Sequence, residues 1–126
     1  MGTRSTVVIK FPEQLSRKQV RACMRLLRPA LRLDQPNIVI DLSQVSQIDT
    51  WGLDMLLHCM LEVAKRDGSL RLAGASPEAA TVLELTRMDR VFNMFPSVAD
   101  AVTSANIEQP QFVPQLAEPV QQPAAA

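Results

Sequence analysis

Short β-branched runs alternate with segments of helical period along this chain, and that alternation most narrows what it can fold into. Residues 5–11 (STVVIKF), 37–42 (NIVIDL), 69–74 (SLRLAG) and 91–95 (VFNMF) read as strands, each bounded by proline, glycine or polar residues. The helices lie between them. From Ser16, a candidate N-cap, the residues Val20, Cys23, Met24, Leu27 and Leu31 recur on one face, while Pro29 predicts a kink or an end near Leu27. A second helix is expected from Asp49 to Arg66, with Leu53, Leu56, Leu57, Met60, Leu61, Val63 and Ala64 as its apolar face and Gly68 as its stop. Ser76 with Pro77 opens a third over 76–88, and Ser97 caps a last one over 97–105. The repeated β-α order predicts an α/β domain: a mainly four-stranded mixed sheet, its neighbours largely parallel, with helices packed against it.

One domain over residues 1–105 accommodates this order, and a chain of that length buries a substantial core. Beyond it, residues 106–126 are rich in proline, glutamine and alanine, so a disordered tail is expected, acting as a flexible spacer or a partner-binding segment. Basic and acidic residues balance at 13 each, which points neither to a general nucleic-acid binder nor to an acidic disordered chain. Cys23 and Cys59 have no metal-ligand spacing and fit reduced thiols in a cytoplasmic protein. No apolar run approaches the length of a membrane span, so membrane insertion is not expected.

The chain carries no glycine-rich phosphate loop, CxxC or HExxH pattern. Its sole histidine, His58, falls on the same helix face as Asp54 and Glu62, which predicts solvent exposure and neither a metal nor a catalytic role. No serine or threonine sits in a nucleophile-elbow pattern. An enzyme is therefore not expected, and no cofactor is implied. In the first helix Lys18, Arg21, Arg25, Arg28 and Arg32 share one sector, flanked by Arg17, with no acid between Ser16 and Arg32. This is either an ordinary solvated face or a surface for an acidic partner or lipid head groups. Nucleic acid ranks lower, because no aromatic residue on this face could stack on bases.

The junction Asp49-Thr50-Trp51-Gly52 holds the chain's most specific chemistry. Asp49 is placed to accept first-turn amides, which explains the acid as a cap. Helical projection puts Trp51 and Met55 away from the Leu53/Leu57/Met60 face, so Trp51 either packs under a neighbouring helix or anchors a partner. Thr50 stands in the first turn, where a phosphate would be favoured by the helix dipole and repelled by Asp49.

The stretch IVIDLSQVSQIDTWGLDMLL resembles the signature of STAS domains, the family of bacterial anti-sigma factor antagonists, in which D-[S/T]-x-G-L opens a helix. The downstream GSLRLAGASPEAATVLELTRMDRVFNMFPSVADAV is similar to the rest of the family pattern, and the resemblance spans roughly residues 5–105. It implies a compact sheet flanked by helices, no catalysis, and regulation of transcription through reversible binding. It also implies Thr50 as the hydroxyl phosphorylated by a kinase that doubles as the anti-sigma factor. Asp49, Trp51, Gly52, Met55 and Ser16 are then the expected partner-binding residues. Trp51 replaces the family's usual small residue, and Pro12 and Ser16 in FPEQLS replace a glycine and an aspartate. The D-T-x-G-L form equally resembles a small STAS subunit that binds the ATPase of a phospholipid-transporting ABC complex. Gene neighbourhood separates these two partners.

Overall fold

The computed structural model describes residues 6–107. In chain order the elements are β1 (Thr6–Lys10), β2 (Gln14–Leu15), α1 (Arg17–Leu31), β3 (Asn37–Asp41), β4 (Gln47–Ile48), α2 (Thr50–Lys65), β5 (Ser69–Ala73), α3 (Pro77–Leu85), a 3-10 turn (Met88–Arg90), β6 (Asn93–Phe95) and α4 (Val98–Ile107). Every strand and helix expected from the sequence is present, and the fold is α/β.

The main sheet has the order β1-β3-β5-β6, and each pairing is parallel, so the expected mixed sheet is corrected to a parallel one. Connectivity is the cause. A helix carries the chain back between β1 and β3, between β3 and β5, and between β5 and β6, so each new strand starts from the same end. Ile9, Ile40, Leu72 and Met94 are in register across the four strands. β2 and β4 form a separate parallel pair, Gln14 opposite Gln47 and Leu15 opposite Ile48. Two-residue strands are too short to leave a period in the sequence.

Side chains alternate across the sheet and divide the core in two. On one face Ile9, Ile38, Ile40, Leu70 and Leu72 pack against Cys23 and Leu27 of α1, Leu56 and Cys59 of α2, and Leu83 of α3. On the other, Val39 and Ala73 meet Ala101 of α4, with Phe95, Val98 and Val102 around them. The same face holds Arg71, which is 2% exposed and donates through Nη1 to Asn37 Oδ1 at 3.2 Å and to Ser69 Oγ. Asn37 in turn donates to Thr6 Oγ1 at 3.2 Å, so polar groups at the start of three strands satisfy one another.

Several local expectations are corrected. α1 continues through Pro29 to Leu31. Pro29 lies exposed in the last turn, and the carbonyl it leaves without a partner belongs to exposed Arg25, where water can serve. α3 ends at Leu85 and not at 88, because Arg87 takes a left-handed conformation (φ 63°) that starts the 3-10 turn, and β6 accordingly begins at Asn93. α4 reaches Ile107, past the expected boundary at 105. The remainder of the expected tail, from 108 onward, lies outside the described residues.

Candidate functional site

α1 and α2 begin side by side, and one carboxylate joins them. Asp49 Oδ1 accepts from the Gly52 amide at 3.0 Å, capping α2, while Oδ2 accepts from the Arg17 amide at 3.1 Å, the first residue of α1. The Asp49 amide donates to the Leu15 carbonyl at 3.2 Å, which fixes the junction to β2. A single anion thus serves the positive ends of two helices, the arrangement that dipoles and unpaired first-turn amides favour. The cap at Asp49 matches the sequence expectation. The second amide, 32 residues away, left no signal in the sequence.

Ser16 occupies the N-cap position of α1, but its side chain makes no capping bond; its hydroxyl donates to Gln19 Oε1. Asp49 has taken the capping role that Ser16 was expected to fill. Gly52 is buried, and a Cβ there would lie 2.3 Å from the Leu15 carbonyl oxygen and 2.9 Å from Leu15 Cγ. Its part is therefore to let α2 approach β2, and it presents no surface to a partner.

Thr50 and Trp51 follow the cap on the outside. Thr50 is exposed, and Trp51 keeps 53% of its surface open to solvent with the Arg17 guanidinium 5.1 Å from its ring centroid. That cation–π contact places a positive charge over the residue next to the Thr50 hydroxyl. Trp51 does not pack under a neighbouring helix.

Met55 is corrected. It is 4% exposed and belongs to the core, because the buried face of α2 is centred on Gly52, Leu56, Cys59 and Val63. This is roughly 100° from the expected centre at Leu53, Leu57 and Met60, one residue step around the helix. Leu61, expected inside, is 56% exposed. α2 packs on α1 as well as on the sheet, Cys59 Sγ lying 3.7 Å from Met24 Sδ, so its apolar arc is wider than one stripe. The edge of Met55 joins Val20, Met24, Trp51, Asp54 and His58 in lining a depression of about 360 Å³ between the two helices.

His58 and Asp54 are exposed, as expected for that helix face. Burial pushes the Cys23 thiol above its ordinary range. Burial, followed by the neighbouring Cys23 and Glu62, pushes Cys59 up to about 12. Both thiols lie buried behind the site and are held in their neutral, unreactive form. Among the described residues no group of three or more histidine, cysteine, aspartate or glutamate side chains could hold a metal ion, and no helix is long and apolar enough to cross a membrane.

The STAS domain model matches residues 2–101, and the chain belongs to the STAS domain family. The solved structures it resembles include an anti-sigma-factor antagonist (STAS) domain protein from Planctomyces limnophilus, 23% identical, with a TM-score of 0.71 over 78% of this chain and 88% of that one. The anti-sigma factor antagonist SpoIIAA in its unphosphorylated form is 23% identical, with a TM-score of 0.65 over 81% and 89%. A sulfate transporter family protein from Wolinella succinogenes is 16% identical, with a TM-score of 0.66 over 81% and 85%. These likenesses are of fold. No curated protein matches the chain by sequence.

Proposed function

We propose that this chain is an anti-sigma factor antagonist that regulates transcription by reversible docking and not by catalysis, switched by phosphorylation of Thr50. The observation that carries the proposal is the exposed Thr50 hydroxyl beside exposed Trp51, on a helix start locked by Asp49 and Gly52. Family membership and the fold shared with SpoIIAA support it. The partner is an anti-sigma factor of the serine/threonine kinase type, and both proteins meet in the cytoplasm.

The switch follows from local chemistry. The γ-phosphoryl group of ATP passes to Thr50 Oγ1, whose proton is lost to the kinase, with ADP as the leaving group. The product carries nearly two negative charges and three acceptor oxygens. First-turn amides of α2 stabilise them, and Asp49 opposes them. The Arg17 guanidinium, stacked on the adjacent ring, is drawn toward the phosphate, which uncovers Trp51 and reverses the charge pattern of the surface. Partner contacts formed with Trp51 and Arg17 in the unmodified state are lost.

The alternative is the docking of a transporter ATPase, as a small subunit of a phospholipid-transport complex. The feature that favours it is the D-T-x-G-L form of the junction from Asp49 to Leu53, with threonine at position 50. Intact-mass analysis of the protein from its native host, with identification of what copurifies, tests both. We expect one phosphate, abolished by Thr50→Ala, and a copurifying kinase-type anti-sigma factor. An unmodified chain with an ABC ATPase attached would overturn the first reading in favour of the second.

A further inference from the structure

The depression at Trp51 does not stop there. Met24 and His58 also line a second hollow of about 270 Å³, whose other walls include Arg28 and Arg32 of α1, and Glu62 and Arg66 at the end of α2. Because Met24 of α1 and His58 of α2 line both, the two hollows adjoin and form one groove along the α1/α2 seam. Its length is that of α2, about 24 Å at 1.5 Å per residue. The end near Thr50 is apolar, lined by Val20, Met24, Trp51 and Met55. The far end is basic.

Among the described residues no acid pairs with the charge there. Arg28, Arg32 and Arg66 are exposed, and among the described residues the only ion pair is Lys65 with Glu62 at 3.3 Å. Arg21 and Arg25 extend the cationic side of α1, which has no acid of its own. Asp54 and Glu62 stand on the opposite wall. A uniformly anionic surface, whether lipid or nucleic acid, would press phosphates against those two carboxylates. A protein segment avoids this by presenting carboxylates only where the arginines lie.

We infer that the α1/α2 groove takes an acidic amphipathic helix of a partner protein, with an apolar anchor between Val20, Met24, Trp51 and Met55 and carboxylates paired with Arg28, Arg32 and Arg66. The inference rests on the docking reading for the existence of a protein partner, and it adds where that partner carries its charge. Helix-in-groove recognition supplies the form: anchors at i, i+3, i+4 and i+7 face the groove, and acids flank them.

Trp51 is the sole tryptophan and there is no tyrosine, so its emission reports the groove directly. The probe is a synthetic helix of about 16 residues with leucines on one face and glutamates on its flanks, titrated into the full chain; a lysine-flanked version is the control. Binding of the glutamate peptide should shift Trp51 emission to the blue and weaken with salt. Arg28→Glu with Arg32→Glu should cost at least about tenfold in affinity, and Arg28→Gln with Arg32→Gln about half that effect on a logarithmic scale. Equal binding of the lysine peptide, or unchanged affinity in both double variants, overturns the inference. So does an emission shift on self-association or on anionic phospholipid vesicles or single-stranded DNA when the glutamate peptide gives none. The two proposals fail separately. A native partner captured and released through Thr50 but indifferent to Arg28 and Arg32 removes the groove and leaves the switch. A Thr50 that is never modified, with peptide binding still governed by those arginines, removes the switch and leaves the groove.

Discussion

α2 and α3 start in chemically similar ways and are used differently. At α3, the Ser76 hydroxyl accepts from the Ala79 amide at 3.1 Å and donates to the Val45 carbonyl, and the next residues are Pro77 and Glu78. Each of those suits a helix start: proline has no amide to leave unpaired, and the acid complements the dipole. At α2, Asp49 accepts the Gly52 and Arg17 amides, yet the first turn contains no acid. Thr50 and Trp51 stand there, exposed, contributing little that helix formation requires. The α3 start is accounted for by folding alone. At α2, folding accounts for Asp49 and Gly52 and not for Thr50 and Trp51, the two residues to which the proposed switch assigns a role.

Perturbations of the two starts should separate these contributions. The largest effect is expected from Gly52→Ala, because a methyl 2.3 Å from the Leu15 carbonyl forces α2 off β2. A loss of about 3 kcal/mol in urea unfolding is expected, at the upper end for overpacking. A neutral result would show that β2 yields freely. Next, Asp49→Ala should cost about 2 kcal/mol, since two helix starts lose an acceptor, against about 1 kcal/mol for Ser76→Ala. Equal losses would contradict the bridging role given to Asp49. The smallest effect is the pH dependence from Cys59. Its pKa is raised on folding, so its contribution is intact below the ordinary value of 9.0 and is lost as pH climbs from there through about 12. Between pH 8 and pH 10 stability should fall on the order of 1 kcal/mol more in the wild type than in Cys59→Ala. Identical slopes would show that Cys59 ionises freely in the folded chain.

Much of this architecture was legible in the sequence, and the failures share a cause. Ile38, Val39 and Ile40 announce a buried strand by themselves, and Ser76-Pro77 and Ser97 announce helix starts, because the physics involved is local. Asp49 as a cap and Thr50 as an exposed neighbour were legible for the same reason, while the sequence left Trp51 open between packing under a neighbouring helix and facing a partner. Pairings across the chain were not. The bond from Arg17 to Asp49, the β2/β4 pair and the groove between α1 and α2 depend on segments brought together only by folding. Met55 was misplaced because periodicity describes a helix with one buried side, and α2 also packs against Met24 of α1. Gly52 illustrates a different limit: the D-T-x-G-L pattern marks it as important, and only the distance to Leu15 shows that the importance is structural.

The central claim is that charge placed on Thr50 controls docking. Calorimetric titration of the copurifying partner with unmodified and singly phosphorylated protein tests it most directly. A loss of about 2 to 3 kcal/mol is expected, which is about 30- to 150-fold weaker binding for the phosphorylated form. Affinities equal within error would contradict the claim, whatever the partner proves to be.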